Sequence, residues 1–327
     1  MSDVQSIGVV GARGYVGGEL LQIIQGHSNF ECVFACSSSQ AGSLVSDHVE
    51  NFNGDLVFED LTPDQAADRE PDAIVLCLPD GQSEKWVAAF AKKQIIVLDV
   101  GSDYRFDDEW TYGLTEHNRA AIKTAKRISN PGCYATACQL ALWPAVNLLS
   151  RPPSCFGVSG YSGAGRTPGP RNDPELLAGG ISPYKLVNHT HEREVSRHLA
   201  HPVRFSPHVA PFFRGISVTV QAQLKSETTI SQLFDLYQKA YSDSRAVLVT
   251  AEIPRVQEVV NFDGAVIGGI NVNPERPDEF AIVCTIDNLR KGAAGQAIQN
   301  LNLALAVEEF AGLELLQNDS AKKPRLI

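Results

Sequence analysis

The chain has 327 residues, 43% apolar and 20% charged, with 26 Gly and 18 Pro; this is globular composition with room for two domains, not that of a disordered, collagen-like or low-complexity chain. With 28 basic against 38 acidic residues the formal charge is −10, and without a Lys/Arg stripe the chain is a poor nucleic-acid binder, because phosphate neutralisation supplies most of that affinity. No run approaches the ~20 apolar residues of a membrane helix, the start MSDVQSIGVVG does not read as a signal peptide, and seven cysteines without a CxxC pair disfavour a zinc site or disulfide framework, so a reduced, cytoplasmic protein is expected.

Ile7-Gly8-Val9-Val10 is a short buried-strand pattern, followed at once by Gly11-Ala12-Arg13-Gly14-Tyr15-Val16-Gly17. Leu20, Leu21, Ile23 and Ile24 then recur at helical spacing until Gly26. Further strands are expected at Cys32–Cys36, Ala73–Leu78 and Ile95–Val100, with a helix over 83–93 between the last two. Strands alternating with helices imply crossovers and a parallel sheet, so the first ~130 residues read as a doubly wound α/β nucleotide-binding domain. The middle of the chain differs. Ile216, Val218, Val220, Ala222 and Leu224 alternate with Ser217, Thr219, Gln221 and Gln223, and 265–272 and 280–286 are also strand-like. One helix, 230–241, interrupts them, which suits a mainly antiparallel α+β domain with one polar face. A last helix is expected over 293–310, carrying Leu301, Leu303, Leu305 and Val307.

A strand, a glycine-rich turn and a helix in one unit bring backbone N–H groups and the positive helix end to a pyrophosphate. The spacing here is G-x-x-G-x-x-G rather than G-x-G-x-x-G. After the second strand stand Ser37, Ser38 and Ser39, with no acidic residue to hold a ribose 2′-hydroxyl. Hydroxyls there, with Arg13 nearby in sequence, suit NADP(H) over NAD.

Asn130-Pro131-Gly132-Cys133-Tyr134-Ala135-Thr136 opens an apolar helical segment. Pro-Gly places Cys133 at its first turn, where the helix end and a nearby imidazolium would lower the thiol pKa and activate it as a nucleophile toward an acyl group. The other six cysteines read as core. His189-Thr190-His191-Glu192-Arg193-Glu194 and His208 lie in the antiparallel half. An H-x-H pair can edge a metal site, but no carboxylate or thiol spacing completes one, so no metal is expected. A general acid/base is the role an activated cysteine needs from a histidine.

These residues resemble the N-acetyl-γ-glutamyl-phosphate reductase family, within the semialdehyde dehydrogenase superfamily. Ile128 to Thr136, through Pro144, is similar to its active-site signature. Supporting segments are Gly11 to Tyr15, Ser162-Gly163-Ala164-Gly165-Arg166, Pro207 to Pro211 with Arg214-Gly215-Ile216, and Lys291 to Ala297. The resemblance implies NADPH-dependent reduction of a small acyl phosphate, with Cys133 forming a thioester and His191 as acid/base. It assigns Arg105, Arg166, Tyr184, His189 and Glu194 to the substrate. The cofactor falls to Gly11, Arg13, Gly14, Tyr15, Val16, Gly17, Ser37, Ser38, Ser39, Leu78, Pro79 and Gly163. It also implies a Rossmann-type NADP-binding domain of residues 1–132 plus about 291–327, and a catalytic and oligomerisation domain of 133–290 that makes dimers or tetramers. Three positions depart from the family pattern: Arg13 for Ser or Thr, Gly101 in Asp99-Val100-Gly101-Ser102-Asp103-Tyr104-Arg105, and Arg193 for proline.

Rivals with the same chemistry are aspartate-semialdehyde dehydrogenase, whose Arg-Cys-His-type segment is missing, and the reductase for carrier-bound aminoadipyl phosphate, which needs a basic docking surface that a charge of −10 does not favour. An NADP-sensing regulator without turnover would need the glycine turn but has no use for the Pro-Gly-Cys helix start.

Overall fold

The computed structural model describes residues 4–91, 93 and 95–316. Seven strands, β1 (Gln5–Val10), β2 (Phe30–Cys36), β3 (Phe58–Glu59), β4 (Ala73–Leu76), β5 (Ile96–Asp99), β6 (Thr111–Tyr112) and β7 (Arg127–Ser129), form one sheet in the order β3-β2-β1-β4-β5-β7-β6. Every pairing in it is parallel. The apolar runs at β1, β4 and β5 exist because these central strands are covered on both faces. Helices α1 (Tyr15–Gln25), α2 (Pro63–Ala67), α3 (Glu84–Phe90) and α4 (Thr115–Ile122) lie between the strands. Strand order reverses between β1 and β4, which opens a crevice at their carboxyl ends.

The second sheet has the order β12-β13-β14-β11-β8-β10-β9, built from β8 (Ser154–Gly160), β9 (Ser182–Pro183), β10 (Arg204–Ala210), β11 (Ile216–Gln223), β12 (Val247–Val249), β13 (Ala265–Asn273) and β14 (Arg276–Ile286). It is mainly antiparallel, with β8–β10 and β12–β13 running parallel. On β11 the buried residues are Ile216, Val218, Val220 and Ala222, as the alternation requires. Helix α5 (Cys133–Leu142) covers that inner face. With it come α6 (Pro174–Leu177), α7 (Thr190–His198) and α8 (Ile230–Ala240). The outer face is polar, lined by Arg151, Arg204, Gln221, Asn271 and Glu279.

The expected helix over 293–310 is shorter. A π-type turn at Arg290–Ala294 leads into α9 (Gly295–Ala304), and the helix ends before Ala306, whose φ of 57° is left-handed. The Asn302 side chain donates to the carbonyls of Glu309 and Ala311, tying the chain that follows the turn back onto the helix end. Ala294, Ala297, Ile298, Leu301 and Leu303 pack into the core of the parallel sheet. Of the stretch 291–327, residues 317–327 lie outside the described residues.

Candidate active site

The crevice at the strand reversal is a cleft of about 730 Å³ between the two sheets. Its floor is the turn from β1 to α1. Gly11 has φ +75°, and a Cβ there would collide with the Cys77 carbonyl; a Cβ on Gly17 would strike the Ala12 backbone. The turn is therefore closed to side chains but open to a ligand's phosphates. No side chain caps α1, its first turn holds no acidic residue, and its first internal bond runs from Gly18 N–H to the Gly14 carbonyl. The N–H groups of Tyr15, Val16 and Gly17, ahead of that bond, have no partner within the helix and are the donor set a pyrophosphate needs. Gly11, Arg13, Gly14, Tyr15, Val16, Gly17, Leu78, Pro79 and Gly163 all line it. Ser37, Ser38 and Ser39 do not. They follow β2 beside the turn, where the N–H groups of Gly11 and Ala12 donate to the Cys36 carbonyl.

Cys133 is the first residue of α5, after Gly132 as an extended N-cap. The strand-to-helix junction is held from below by buried amides: Asn130 Nδ2 donates to the Ala293 carbonyl, and Asn300 Nδ2 to Asn130 Oδ1 and the Gly113 carbonyl. Gly292 packs so closely on the Cys133 Cβ that no side chain fits between them. The expected acidic thiol is corrected here. Burial pushes Cys133 up to about 11; the Tyr134 N–H and Arg105 pull it down less, and Glu194 opposes them. The helix end is real, but desolvation of the half-buried thiol outweighs its pull.

His191 stands beside the cysteine. A Cβ on Gly132 would meet both His191 Nε2 and Arg105 Nη1, so these atoms crowd the approach to Cys133. Burial first, then the charges of Arg105, His189 and Lys185, hold the His191 imidazole well below its ordinary pKa. It is a neutral imidazole near neutral pH, not the imidazolium expected. His189 caps α7, its Nδ1 accepting the His191 N–H at 3.1 Å, and burial together with Lys185 and Arg171 lowers it to about 4. Arg193, in place of proline, leaves this turn intact, its N–H donating to the His189 carbonyl at 3.2 Å.

Glu194 lies beneath the cleft, not on it. It is fully buried; Oε1 accepts the Gly132 N–H at 2.9 Å and the Tyr112 hydroxyl at 2.8 Å, while Oε2 faces Arg105 Nη1 at 3.2 Å. Its carboxylate is outside the cleft lining, and its three hydrogen bonds position the nucleophile's helix. Arg105 lines the cleft while also donating to the carbonyls of Asn130 and Val100. Two of its five N–H groups stay free. Arg166 lies over the Tyr15 ring, 4.8 Å from its centroid, at the glycine-turn end. Tyr184 lies at the histidine end, its ring 5.7 Å from His189. Sequence reasoning missed Tyr112 and Gln139, which extend the Glu194 relay (Gln139 Nε2 to Tyr112 hydroxyl, 2.7 Å), and the cleft cations Arg171 and Lys185. Neither pair sits in a recognisable pattern. Among the described residues no cluster of His, Cys, Asp or Glu could hold a metal ion, and no helix is long and apolar enough to cross a membrane.

Two family models match the halves of the chain: the NAD-binding domain of semialdehyde dehydrogenases over residues 6–125 and their dimerisation domain over 133–288. An N-acetyl-gamma-glutamyl-phosphate reductase of Stenotrophomonas maltophilia (strain R551-3) is 45% identical over 310 residues, 94% of this chain and 98% of that protein. The same-named protein of Xanthomonas campestris pv. campestris (strain B100) is 46% identical, with the same coverage. The chain belongs to the N-acetyl-γ-glutamyl-phosphate reductase family. Solved structures share the fold at lower identity. Aspartate semialdehyde dehydrogenase II of Vibrio cholerae superposes with a TM-score of 0.76 at 17% identity, covering 93% of this chain and 99% of its own. The Candida albicans enzyme, solved with NADP, gives 0.70 at 16%, with the same coverage. As a reductase of this family, the chain is an oxidoreductase with an NAD(P)-binding half and a dimerisation half.

Proposed function

We propose that the chain reduces N-acetyl-γ-glutamyl phosphate to N-acetylglutamate 5-semialdehyde and inorganic phosphate, with NADPH as reductant and Cys133 as nucleophile. The observation that carries this reading is the meeting of Cys133, His191 and Arg105 on one cleft with an uncapped glycine turn. Because thiol and imidazole are both neutral at rest, His191 takes the Cys133 proton as sulfur attacks, rather than holding a preformed ion pair. The sulfur–carbon bond forms, the acyl carbon–oxygen bond breaks, and phosphate leaves toward the Arg105 charge. A nicotinamide cofactor held along Gly11, Gly14 and Gly17 would supply the hydride that the thioester carbon accepts. His191 returns its proton to the carbonyl oxygen, giving a hemithioacetal; it then takes that hydroxyl proton and hands it to the departing sulfur, restoring the thiol and releasing the aldehyde.

Glu194 keeps Gly132, and so the helix start, in register with Arg105. NADP is favoured over NAD because Ser37, Ser38 and Ser39 carry no negative charge and Arg13 is exposed on the adjoining turn. Residues 1–132 with those from about 291 onward form the cofactor half, and residues 133–290 the catalytic half. Two copies would join through the polar outer face of the second sheet, a point light scattering decides. The reaction is tested in reverse: NADP⁺ reduction by N-acetylglutamate semialdehyde requires inorganic phosphate if an acyl phosphate is the product. Phosphate-independent reduction, or none, would discard this substrate assignment.

A further inference from the structure

Two arginine–tyrosine pairs stand at opposite ends of the cleft. Arg166 over Tyr15 belongs to the glycine turn. At the other end the Arg171 guanidinium lies over the Tyr184 ring, 5.0 Å from its centroid, with Lys185 next in the chain. Both Arg171 and Lys185 line the cleft. Neither has a carboxylate partner among the described residues; the Lys185 ammonium meets only the Thr190 hydroxyl, at 3.5 Å. The local acids are otherwise employed. Asp173 caps α6 through the N–H groups of Glu175 and Leu176, and Glu192 accepts the Phe205 N–H.

The loop is built to hold these cations in place. Asn172 ties it together, accepting from the Gly169 N–H and donating to the carbonyls of Gly165 and Thr167. Tyr184 is anchored by its N–H on the Pro207 carbonyl, next to the pairing of Pro183 with His208. Lys185 and Asn188 sit at left-handed φ of 42° and 56°, which costs backbone energy and turns the chain back to His189. The cations are felt by the catalytic groups: Arg171 and Lys185 both act on His189, Lys185 on His191, and Cys133 on Tyr184. An extended dicarboxylate bound to the cysteine by one end carries its other carboxyl group roughly 5 Å further on, four carbon–carbon bonds away. Arg105 cannot serve both ends, since three of its N–H groups are already engaged.

We propose that Arg171 and Lys185, set on the Tyr184 ring, form the subsite that binds the free α-carboxylate of the substrate and so select an acyl phosphate that carries a second anionic end. This rests on the reductase reading above and names the side chains that choose its substrate. A guanidinium set on an aromatic ring with no carboxylate partner is a ready fork for a carboxylate.

The test compares the wild type, R171A, R171K and K185A in the reverse reaction, with N-acetylglutamate semialdehyde and with its neutral α-carboxamide. R171A should raise KM for the acid by about tenfold or more, the effect of losing one charge-assisted hydrogen bond. K185A should do so less strongly, and R171K should restore part of the loss. With the carboxamide, wild type and R171A should differ by no more than about twofold, a pattern that loss of loop structure would not produce. KM for inorganic phosphate should stay near the wild-type value; a rise there instead would make Arg171 a phosphate ligand and overturn the proposal. Equal losses on acid and carboxamide, or a variant inactive on both, would overturn it too. Wild type inert toward the acid would instead sink the reductase reading itself.

Discussion

Replacing Glu194 by glutamine separates two effects of one buried carboxylate. The amide keeps the shape. Its oxygen can stay where Oε1 accepts from Gly132 and Tyr112, while its NH₂ group falls opposite Arg105, where Oε2 stood. Arg105 is then a buried cation facing a donor, and Glu194 is the largest of the charges that together outweigh its burial penalty. Breaking such a pair from one side costs about 3–5 kcal/mol, a third or more of a stability of ~10 kcal/mol. The chemistry should move the other way. Glu194 raises the Cys133 pKa and Arg105 lowers it, so removing the negative charge makes the thiol more acidic. Urea unfolding should therefore show a less stable E194Q protein, while iodoacetamide alkylates Cys133 in the folded variant faster than in wild type near neutral pH. A variant within about 1 kcal/mol of wild type, or one with a slower thiol, would refute the assignment of Glu194 as the partner of Arg105 beneath the nucleophile.

Other expectations concern the same groups. His191→Asn should lower kcat by about 10²–10⁴-fold, the range for losing an acid/base group; a loss below about tenfold would move that role to His189 or His208. In the free wild-type protein the alkylation rate of Cys133 should keep climbing as pH rises toward about 11, as measured by peptide mass spectrometry; a plateau near pH 8.5, the ordinary thiol value, would contradict the raised thiol. His117 is half-buried against Trp143, and desolvation there lowers it to about 4. The unfolded chain binds that proton near pH 6.5 and the native one only near pH 4, so stability is lost as pH falls through that window. His117→Phe should remove this loss, gaining about 3 kcal/mol on wild type between pH 7 and pH 4; parallel curves would show that His117 titrates normally.

The parallel sheet, the glycine turn and the place of Cys133 at a helix start are legible in the sequence because each leaves a local mark: an apolar run, a glycine spacing, a Pro-Gly before a helix. What was not legible depends on groups distant in the chain. Nothing at 112, 139 or 194 announces that Tyr112, Gln139 and Glu194 make one buried relay under Gly132. The thiol's pKa was misjudged for the same reason, since a helix end is visible in sequence and its desolvation is not. The run Leu301, Leu303, Leu305 and Val307 suggests a longer α9, whereas the chain turns at Ala306, left-handed in φ, and folds back so that Asn302 donates to the carbonyls of Glu309 and Ala311. Arg171 and Lys185 lie in a loop without periodicity, and only the fold brings them to Tyr184 and the histidines.

The central claim is a covalent acyl group on one sulfur. Incubating the protein with N-acetyl-γ-glutamyl phosphate in the absence of NADPH and measuring its intact mass and peptides tests it directly. The account predicts one N-acetylglutamyl adduct, on Cys133, absent from Cys133→Ser and discharged when NADPH is added. No adduct, or one on Cys138 or any other cysteine, would contradict it.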